Sequence, residues 1–117
     1  MSGVKVKICG NTNLVDARAA AEAGADFLGF IFAPGPRRVP PSLARGFWDE
    51  LPRGVAKVAV FRDQTIEEVE EVVSLLRPDY LQFHGVETPG FCRIFGTPVI
   101  RALSARVPAD LAIADAF

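Results

Sequence analysis

The chain has 117 residues, of which 50% are hydrophobic and 23% are charged, and this is enough apolar material for the core of one domain. Its formal net charge is -1, and no basic cluster is longer than Arg37-Arg38, which argues against binding to nucleic acid. No apolar run is long enough to span a bilayer and no signal-peptide pattern opens the chain, so we expect a cytoplasmic protein with no membrane partner.

Two units of strand and helix open the chain. Residues 4–9 form an apolar run rich in β-branched side chains, which predicts a strand, and helical spacing over residues 14–23 ends at Gly24, a suitable residue after a helix. A second, almost wholly apolar strand is predicted at residues 27–32. After a loop that contains proline and glycine, a helix is predicted at residues 42–51, because Pro52 stops it.

The same alternation continues through the rest of the chain. Residues 55–61 predict a third strand, and Thr65 with Glu68 three residues later predicts a helix that begins with a capping box and ends near Pro78. The remaining predicted elements are a strand at residues 80–84, a short helix at residues 88–95 and a strand at residues 97–102.

Strands that are apolar on both faces and separated by amphipathic helices are typical of a parallel sheet covered by helices. The glycine-rich dinucleotide turn of an open doubly wound sheet is missing after the first strand. A spacing of about 25 residues per unit fits the (βα)8 TIM barrel, which needs about 250 residues. We therefore predict one domain over residues 1–117, built as an N-terminal part-barrel of about five βα units, with Phe30, Phe32, Val58 and Val60 buried.

Cys9 ends the first predicted strand, at the sheet edge where active sites of barrels lie. Lys7 lies two residues earlier on the same face, where its positive charge favours a thiolate that can act as base or nucleophile. The structural alternative for Cys9 is a small buried hydrophobic residue. Cys92 lies in a different kind of segment, and neither cysteine has metal-ligand spacing around it, so we predict two reduced thiols and no metal site.

Polar residues at the ends of the next strands predict further parts of the same site. Arg37 and Arg38 follow the second strand and could clamp an anionic substrate, although two loop arginines are also typical of a solvated surface. Arg62 follows the third strand, where it either positions substrate or pairs with Asp63. Gln82 and His84 end the fourth strand, and a lone histidine near an apolar strand is commonly a hydrogen-bonded structural residue.

Four segments together resemble phosphoribosylanthranilate isomerase, in the right order and over essentially the whole chain. They are KICG at residues 7–10, GFIFAPGPRRV at 29–39, VFRDQ at 60–64 and LQFHGVE at 81–87. The resemblance implies a (βα)8 enzyme of tryptophan biosynthesis that uses no cofactor. It implies a phosphosugar substrate, N-(5-phosphoribosyl)anthranilate, and an Amadori rearrangement to 1-(2-carboxyphenylamino)-1-deoxyribulose 5-phosphate.

Residue roles also follow from the resemblance. Cys9 matches the general base that removes the proton from C2 of the sugar, and a loop arginine matches the residue that contacts the anthranilate carboxylate. Alignment on Val39 and Pro41 selects Arg37 for that contact, whereas counting forward from the strand selects Arg38. The family's general acid, an aspartate in a Leu-Leu-Asp context, and its phosphate-binding loops have no match in this sequence. Asp115 precedes the apolar strand instead of ending it, which makes it a poor substitute, so we expect the chain alone to be inactive.

Two other readings follow from the same residues. A part-barrel of five strands leaves two open strand edges, which predicts self-association, and the chain could be a non-catalytic half-barrel fragment that self-associates or complements a missing half. Indole-glycerol-phosphate synthase is a weaker alternative, because that enzyme uses lysine and glutamates and has no thiol at the end of its first strand.

Overall fold

The computed structural model describes residues 3–103, 114, 116 and 117, and within them strands and helices alternate strictly. The elements are β1 (Lys7–Ile8), α1 (Leu14–Glu22), β2 (Phe27–Ile31), α2 (Pro41–Trp48), β3 (Ala56–Phe61), α3 (Ile66–Leu76), β4 (Tyr80–Phe83), α4 (Pro89–Cys92) and β5 (Val99–Arg101). The strands form one sheet in the order β1-β2-β3-β4-β5, and each neighbouring pair is parallel. This confirms the predicted part-barrel, because sequential parallel strands with a helix in each crossover are the repeating unit of a (βα)8 barrel.

Short polar side chains begin three of the helices. Asn13 accepts a hydrogen bond from the backbone N–H of Asp16 at the start of α1. Thr65 and Glu68 form the predicted capping box of α3, with each side chain bonded to the other residue's backbone N–H at 3.1 Å. That helix ends at Leu76, because Arg77 adopts a left-handed conformation and Pro78 follows.

The first strand is much shorter than the predicted run of residues 4–9. The reason lies in Asp26, whose carboxylate takes the N–H of Val6 at 2.8 Å, while the Val6 carbonyl accepts from the N–H groups of Asp26 and Phe27. A side chain therefore replaces a strand partner at this end of β1. The predicted helix at residues 88–95 is also shorter, since regular helix stops at Cys92 and single turns follow.

The main hydrophobic core lies between the outer face of the sheet and the helices. Along β2, β3 and β4 the side chains point alternately to the outer and the inner face of the sheet. Phe30, Phe61 and Phe83 are on the outer face and have no exposed surface. Phe30 packs on Trp48 of α2 with ring centroids 4.9 Å apart. The predicted burial of Phe30, Phe32, Val58 and Val60 is confirmed, with exposures of 0%, 4%, 0% and 6%.

The inner face of the sheet is concave. The ammonium group of Lys7 on β1 donates a hydrogen bond to the side-chain oxygen of Gln82 on β4. In a flat sheet these strands would lie about 14 Å apart, because three strand spacings separate them. The sheet therefore curves strongly towards this face, as a barrel wall does. No helix within the described residues is long and apolar enough to cross a membrane.

Candidate active site

Cys9 lies directly after β1, at the edge where all five parallel strands end, and it is exposed. Its side chain rests against Gly29 of β2. A Cβ atom placed on Gly29 would lie only 2.8 Å from the Cys9 sulfur and 3.2 Å from its Cα. The thiol therefore occupies the space that a side chain at position 29 would fill.

Arg37 reaches the same corner from the loop after β2. A Cβ atom on Gly10 would lie 2.8 Å from Cδ and 3.0 Å from Nη1 of Arg37, so the guanidinium lies over the residue that follows Cys9. Arg38 instead joins the sheet through its backbone, in a bridge to Ile31. Its exposed side chain takes part in none of the hydrogen bonds or ion pairs found among the described residues. We name the cluster of Cys9, Gly10, Gly29 and Arg37 the thiol corner.

Asn11 ties the thiol corner to the sheet, and sequence reasoning did not identify it. Its side-chain amide donates to the carbonyls of Ile8 at 2.9 Å and Gly29 at 3.1 Å, and its backbone N–H also donates to Gly29. The residue is buried, so each donor has a protein partner in place of water. The backbone on both sides of Cys9 is thereby fixed against β2.

Lys7 and Gln82 lie below this edge on the concave inner face. Gln82 is buried, and its side-chain oxygen accepts the hydrogen bond from the half-buried Lys7. Because residues two apart on a strand share a face, Lys7 and Cys9 both point to the inner side of the sheet. The pair therefore places a positive charge beneath the thiol corner.

Arg62, Asp63 and His84 form a second group, at the ends of β3 and β4. Asp63 does not pair with Arg62 among the described ion pairs; its carboxylate accepts the N–H of Val86 at 2.7 Å instead. Asp63 also has a φ of 57°, which turns its side chain towards the loop after β4. The alternative reading of an Arg62–Asp63 pair is therefore wrong.

A cleft of about 560 Å³ opens beside this second group. Arg62, His84 and Arg101 contribute to its lining, and Cys9 does not. The His84 side chain is exposed, and among the described residues only its backbone N–H makes a hydrogen bond, to the carbonyl of Phe61 at 3.0 Å. The predicted site residues thus divide among the thiol corner, the Lys7–Gln82 pair below it and this cleft, and Arg38 belongs to none of the three.

A buried ion pair supports the loops around the cleft, and it too was missed by sequence reasoning. The Glu87 carboxylate accepts the N–H groups of Asp63 and Gly85, both at 2.8 Å, and lies 3.5 Å from Nη1 of Arg101. Arg101 also donates to the carbonyls of Phe83, Gly85 and Ala102. We name Glu87 and Arg101 the loop clamp, because they bind the ends of three strands together.

The two thiols differ in environment. Burial is the main cause that raises the pKa of the Cys92 thiol, whereas Cys9 is exposed at the sheet edge. No group of three or more His, Cys, Asp or Glu within the described part of the chain could hold a metal ion. The structural reading of Cys9 as a buried hydrophobic residue is wrong. Asp115 lies outside the described residues.

Comparisons with known proteins agree on one family. The model of "N-(5'phosphoribosyl)anthranilate (PRA) isomerase" matches residues 6–116. The N-(5'-phosphoribosyl)anthranilate isomerase of Syntrophus aciditrophicus is 46% identical over 115 residues, which are 97% of this chain and 50% of that protein. The chain spans about half the length of the curated relatives that it matches.

Solved structures of the same family superpose closely. One is a phosphoribosyl anthranilate isomerase in complex with reduced 1-(o-carboxyphenylamino)-1-deoxyribulose 5-phosphate. The two chains superpose with a TM-score of 0.89 at 38% sequence identity, and the match covers 95% of this chain and 59% of the solved chain. Another is the structure of mutually generated monomers of the dimeric enzyme from Thermotoga maritima. It superposes with a TM-score of 0.87 at 38% sequence identity, and the match covers 95% of this chain and 58% of the solved chain.

Proposed function

This chain belongs to the N-(5'-phosphoribosyl)anthranilate isomerase family, and from that premise we propose that it supplies the base and the carboxylate-binding group of an Amadori rearrangement in tryptophan biosynthesis. The observation that carries the proposal is the thiol corner, where Arg37 lies over Gly10, the residue that follows the exposed Cys9. An exposed thiol with a guanidinium group over the next residue suits a substrate that carries a carboxylate near the reacting carbon.

Cys9 acts in this proposal as the general base. Opening of the sugar ring gives a Schiff base protonated on nitrogen, and the Cys9 thiolate removes the proton from C2. The C2–H electrons form the C1=C2 bond while the C1=N electrons return to nitrogen, which gives an enolamine and leaves the proton on the thiol. The enolamine then loses the proton of its C2 hydroxyl and gains one at C1, which gives the keto product. Reactant and product are isomers, so the step needs no external oxidant or reductant and no cofactor.

Arg37 acts as the anthranilate-binding residue. A guanidinium group can take both oxygens of a carboxylate in a bidentate contact, which fixes the direction of the aromatic ring. The contact with Gly10 favours Arg37 over Arg38, whose backbone is committed to the bridge with Ile31. Replacing Arg37 by Ala is therefore expected to raise KM more than the same change at Arg38.

The other polar groups have supporting roles in substrate binding. Lys7, held by Gln82, provides a cation on the inner face below the reacting carbon. Arg62 and His84 line the neighbouring cleft, where they can contact the hydroxyl or phosphate oxygens of the sugar. Free thiols at Cys9 and Cys92 fit a reducing compartment, so we infer that the enzyme works in the cytoplasm.

The resemblance assigns the general acid and the phosphate-binding loops to barrel units beyond the half of the relatives that this chain spans. General acid and base groups each contribute about 10²–10⁴-fold to the rate, so the base alone is expected to give little turnover. We propose that residues 1–117 fold as one unit and that activity requires the remaining barrel units. Those units would bring an acid to the side of the substrate that faces away from Cys9.

A fluorescence assay for consumption of phosphoribosylanthranilate tests this proposal. The chain is assayed alone, and again after addition of a separately expressed C-terminal half of a relative. Activity in the mixture, and its loss with Cys9→Ala at unchanged circular dichroism, is the expected result. A mixture that turns over at the same rate with Cys9→Ala would remove Cys9 from the mechanism, and the absence of activity in every mixture would count against the isomerase assignment.

The second candidate is a non-catalytic half-barrel that associates through its strand edges. Within the described part of the chain, β1 and β5 each have one strand partner; Val6, just before β1, is 45% exposed and Ile8 on β1 is 42% exposed. Open apolar edges favour pairing with a second chain. Sedimentation velocity separates this candidate from the first, because dimers that dissociate on addition of the C-terminal half would favour complementation over stable self-association.

A further inference from the structure

The thiol corner is built on two glycines whose missing side chains leave room for its functional groups. A Cβ on Gly29 would meet the sulfur, Cβ and Cα of Cys9 at 2.8, 3.2 and 3.2 Å, and a Cβ on Gly10 would meet Cδ and Nη1 of Arg37 at 2.8 and 3.0 Å. Real Cβ atoms essentially never approach other atoms within 3.0 Å. Alanine at either position would therefore displace the thiol or the guanidinium.

Most other glycines of the chain face open space. Gly24 has a positive φ of +106°, comparable to the +83° of Gly10, but a Cβ there would meet nothing within 4 Å. A Cβ on Gly46 in α2 would also meet nothing within 4 Å. The close approaches at Gly10 and Gly29 therefore reflect what lies above them, and backbone conformation alone does not account for them.

We propose that Gly29 and Gly10 are positioning residues that set the distance between the Cys9 thiol and the Arg37 guanidinium. Gly29 lets the thiol lie against β2, and Gly10 lets the arginine side chain cross the backbone beside it. The effect of these two glycines on catalysis rests on the proposed function. The geometry itself can be tested without turnover, because the charge beside a thiol changes its preference between reagents.

The probe is the ratio of two alkylation rates of Cys9, with anionic iodoacetate and with neutral iodoacetamide. A cation beside the sulfur attracts the anionic reagent, and a unit charge at about 5 Å in water changes the rate about fourfold. Accessibility and thiolate content affect both reagents alike and cancel in the ratio. Cys92, which is buried, serves as the internal reference for unfolding, since both of its rates should stay low.

We expect Arg37→Gln to lower this ratio about threefold, whereas the matched change Arg38→Gln leaves it within 1.5-fold, as an order-of-magnitude expectation. Gly10→Ala and Gly29→Ala should each lower the ratio by about twofold or more, because moving the thiol away from the guanidinium removes about half of the fourfold effect of the charge. Gly24→Ala is the control for strain at positive φ, and it should leave the ratio unchanged. Gly46→Ala is the control for an added methyl group.

An unchanged ratio in both Gly10→Ala and Gly29→Ala, together with a lowered ratio in Arg37→Gln, would overturn the role of the glycines. An unchanged ratio in Arg37→Gln would overturn the proximity of thiol and guanidinium. If Gly29→Ala is too unstable to assay, thermal unfolding replaces alkylation. Adding Cys9→Ala should then restore at least half of the lost melting temperature, because it removes the clashing sulfur, and no restoration would refute the proposal.

Kinetics of the complemented enzyme separate this inference from the proposed function. Gly29→Ala should lower kcat with little change in KM, because it moves the base, and Gly10→Ala should raise KM, because it moves the carboxylate-binding group. A general loss of structure would instead lower kcat in both variants by reducing the active fraction, and it would not raise KM in Gly10→Ala. If the complemented wild type shows no turnover, the proposed function fails, and the alkylation ratios still decide the role of the glycines.

Discussion

Replacing Glu87 by Gln removes the negative charge of the loop clamp without changing its shape. The carboxylate accepts two backbone N–H groups at 2.8 Å and faces Arg101 at 3.5 Å, with side-chain exposures of 2% for Glu87 and 11% for Arg101. Glutamine keeps one oxygen acceptor, but it turns an NH₂ group towards the second N–H and leaves the arginine without its counter-charge. Breaking a buried ion pair costs about 3–5 kcal/mol. Because one hydrogen bond survives, we expect a loss of about 3 kcal/mol.

Urea unfolding followed by tryptophan fluorescence measures this loss directly. Trp48 is the single tryptophan and is buried in the core, so its emission reports on global unfolding. Glu70→Gln, on the exposed face of α3, is the matched control and should change the free energy of unfolding by less than about 0.5 kcal/mol. A loss below about 1 kcal/mol for Glu87→Gln would refute the argument from buried charge.

Three further predictions concern the core and the sheet. Burial raises the pKa of the Cys92 thiol above its ordinary value of 9.0, so the thiol loses its proton at lower pH in the unfolded chain than in the folded one. The free energy of unfolding should therefore fall as the pH rises above 9.0. In urea unfolding at a series of pH values, Cys92→Ala should lack this fall in stability. Phe30→Ala should cost about 3–5 kcal/mol and shift the emission of Trp48, which it contacts. Asp79→Ala should cost about 1–2 kcal/mol and speed hydrogen exchange at the Lys57 amide, its partner at 2.8 Å.

The order and type of the elements could be predicted from the sequence because each strand carries its own signal. A strand buried on both faces is apolar throughout, and a helix in the crossover shows its period and its cap, as Thr65 and Glu68 do for α3. The length of β1 could not be predicted in this way. Its hydrogen bonds at Val6 involve the Asp26 carboxylate, and no local pattern shows that a residue 20 positions away will take that place.

The site could be predicted only in part for the same reason. A thiol at a strand end is visible in the sequence, so the place of Cys9 at this edge of the sheet could be predicted. The choice between Arg37 and Arg38 depends on how the loop after β2 folds over Gly10, which counting residues cannot show. The loop clamp was missed because Glu87 and Arg101 are 14 positions apart and read as ordinary surface charges until the strands bring them together.

The contacts of the thiol corner also indicate which properties depend on which part of the barrel. The backbone around Cys9 is held by Asn11 and Gly29, and Arg37 crosses Gly10. All three residues lie within the first two βα units, so thiol reactivity should depend little on the later strands. The hydrogen bond from Lys7 to Gln82 differs, because it forms only when the sheet curves enough to bring β1 near β4. In the proposed mechanism, turnover needs both this curvature and an acid that faces the thiol across the substrate. A flattened sheet should therefore keep the contribution of Arg37 to the preference of Cys9 for iodoacetate while it abolishes turnover of the complemented enzyme.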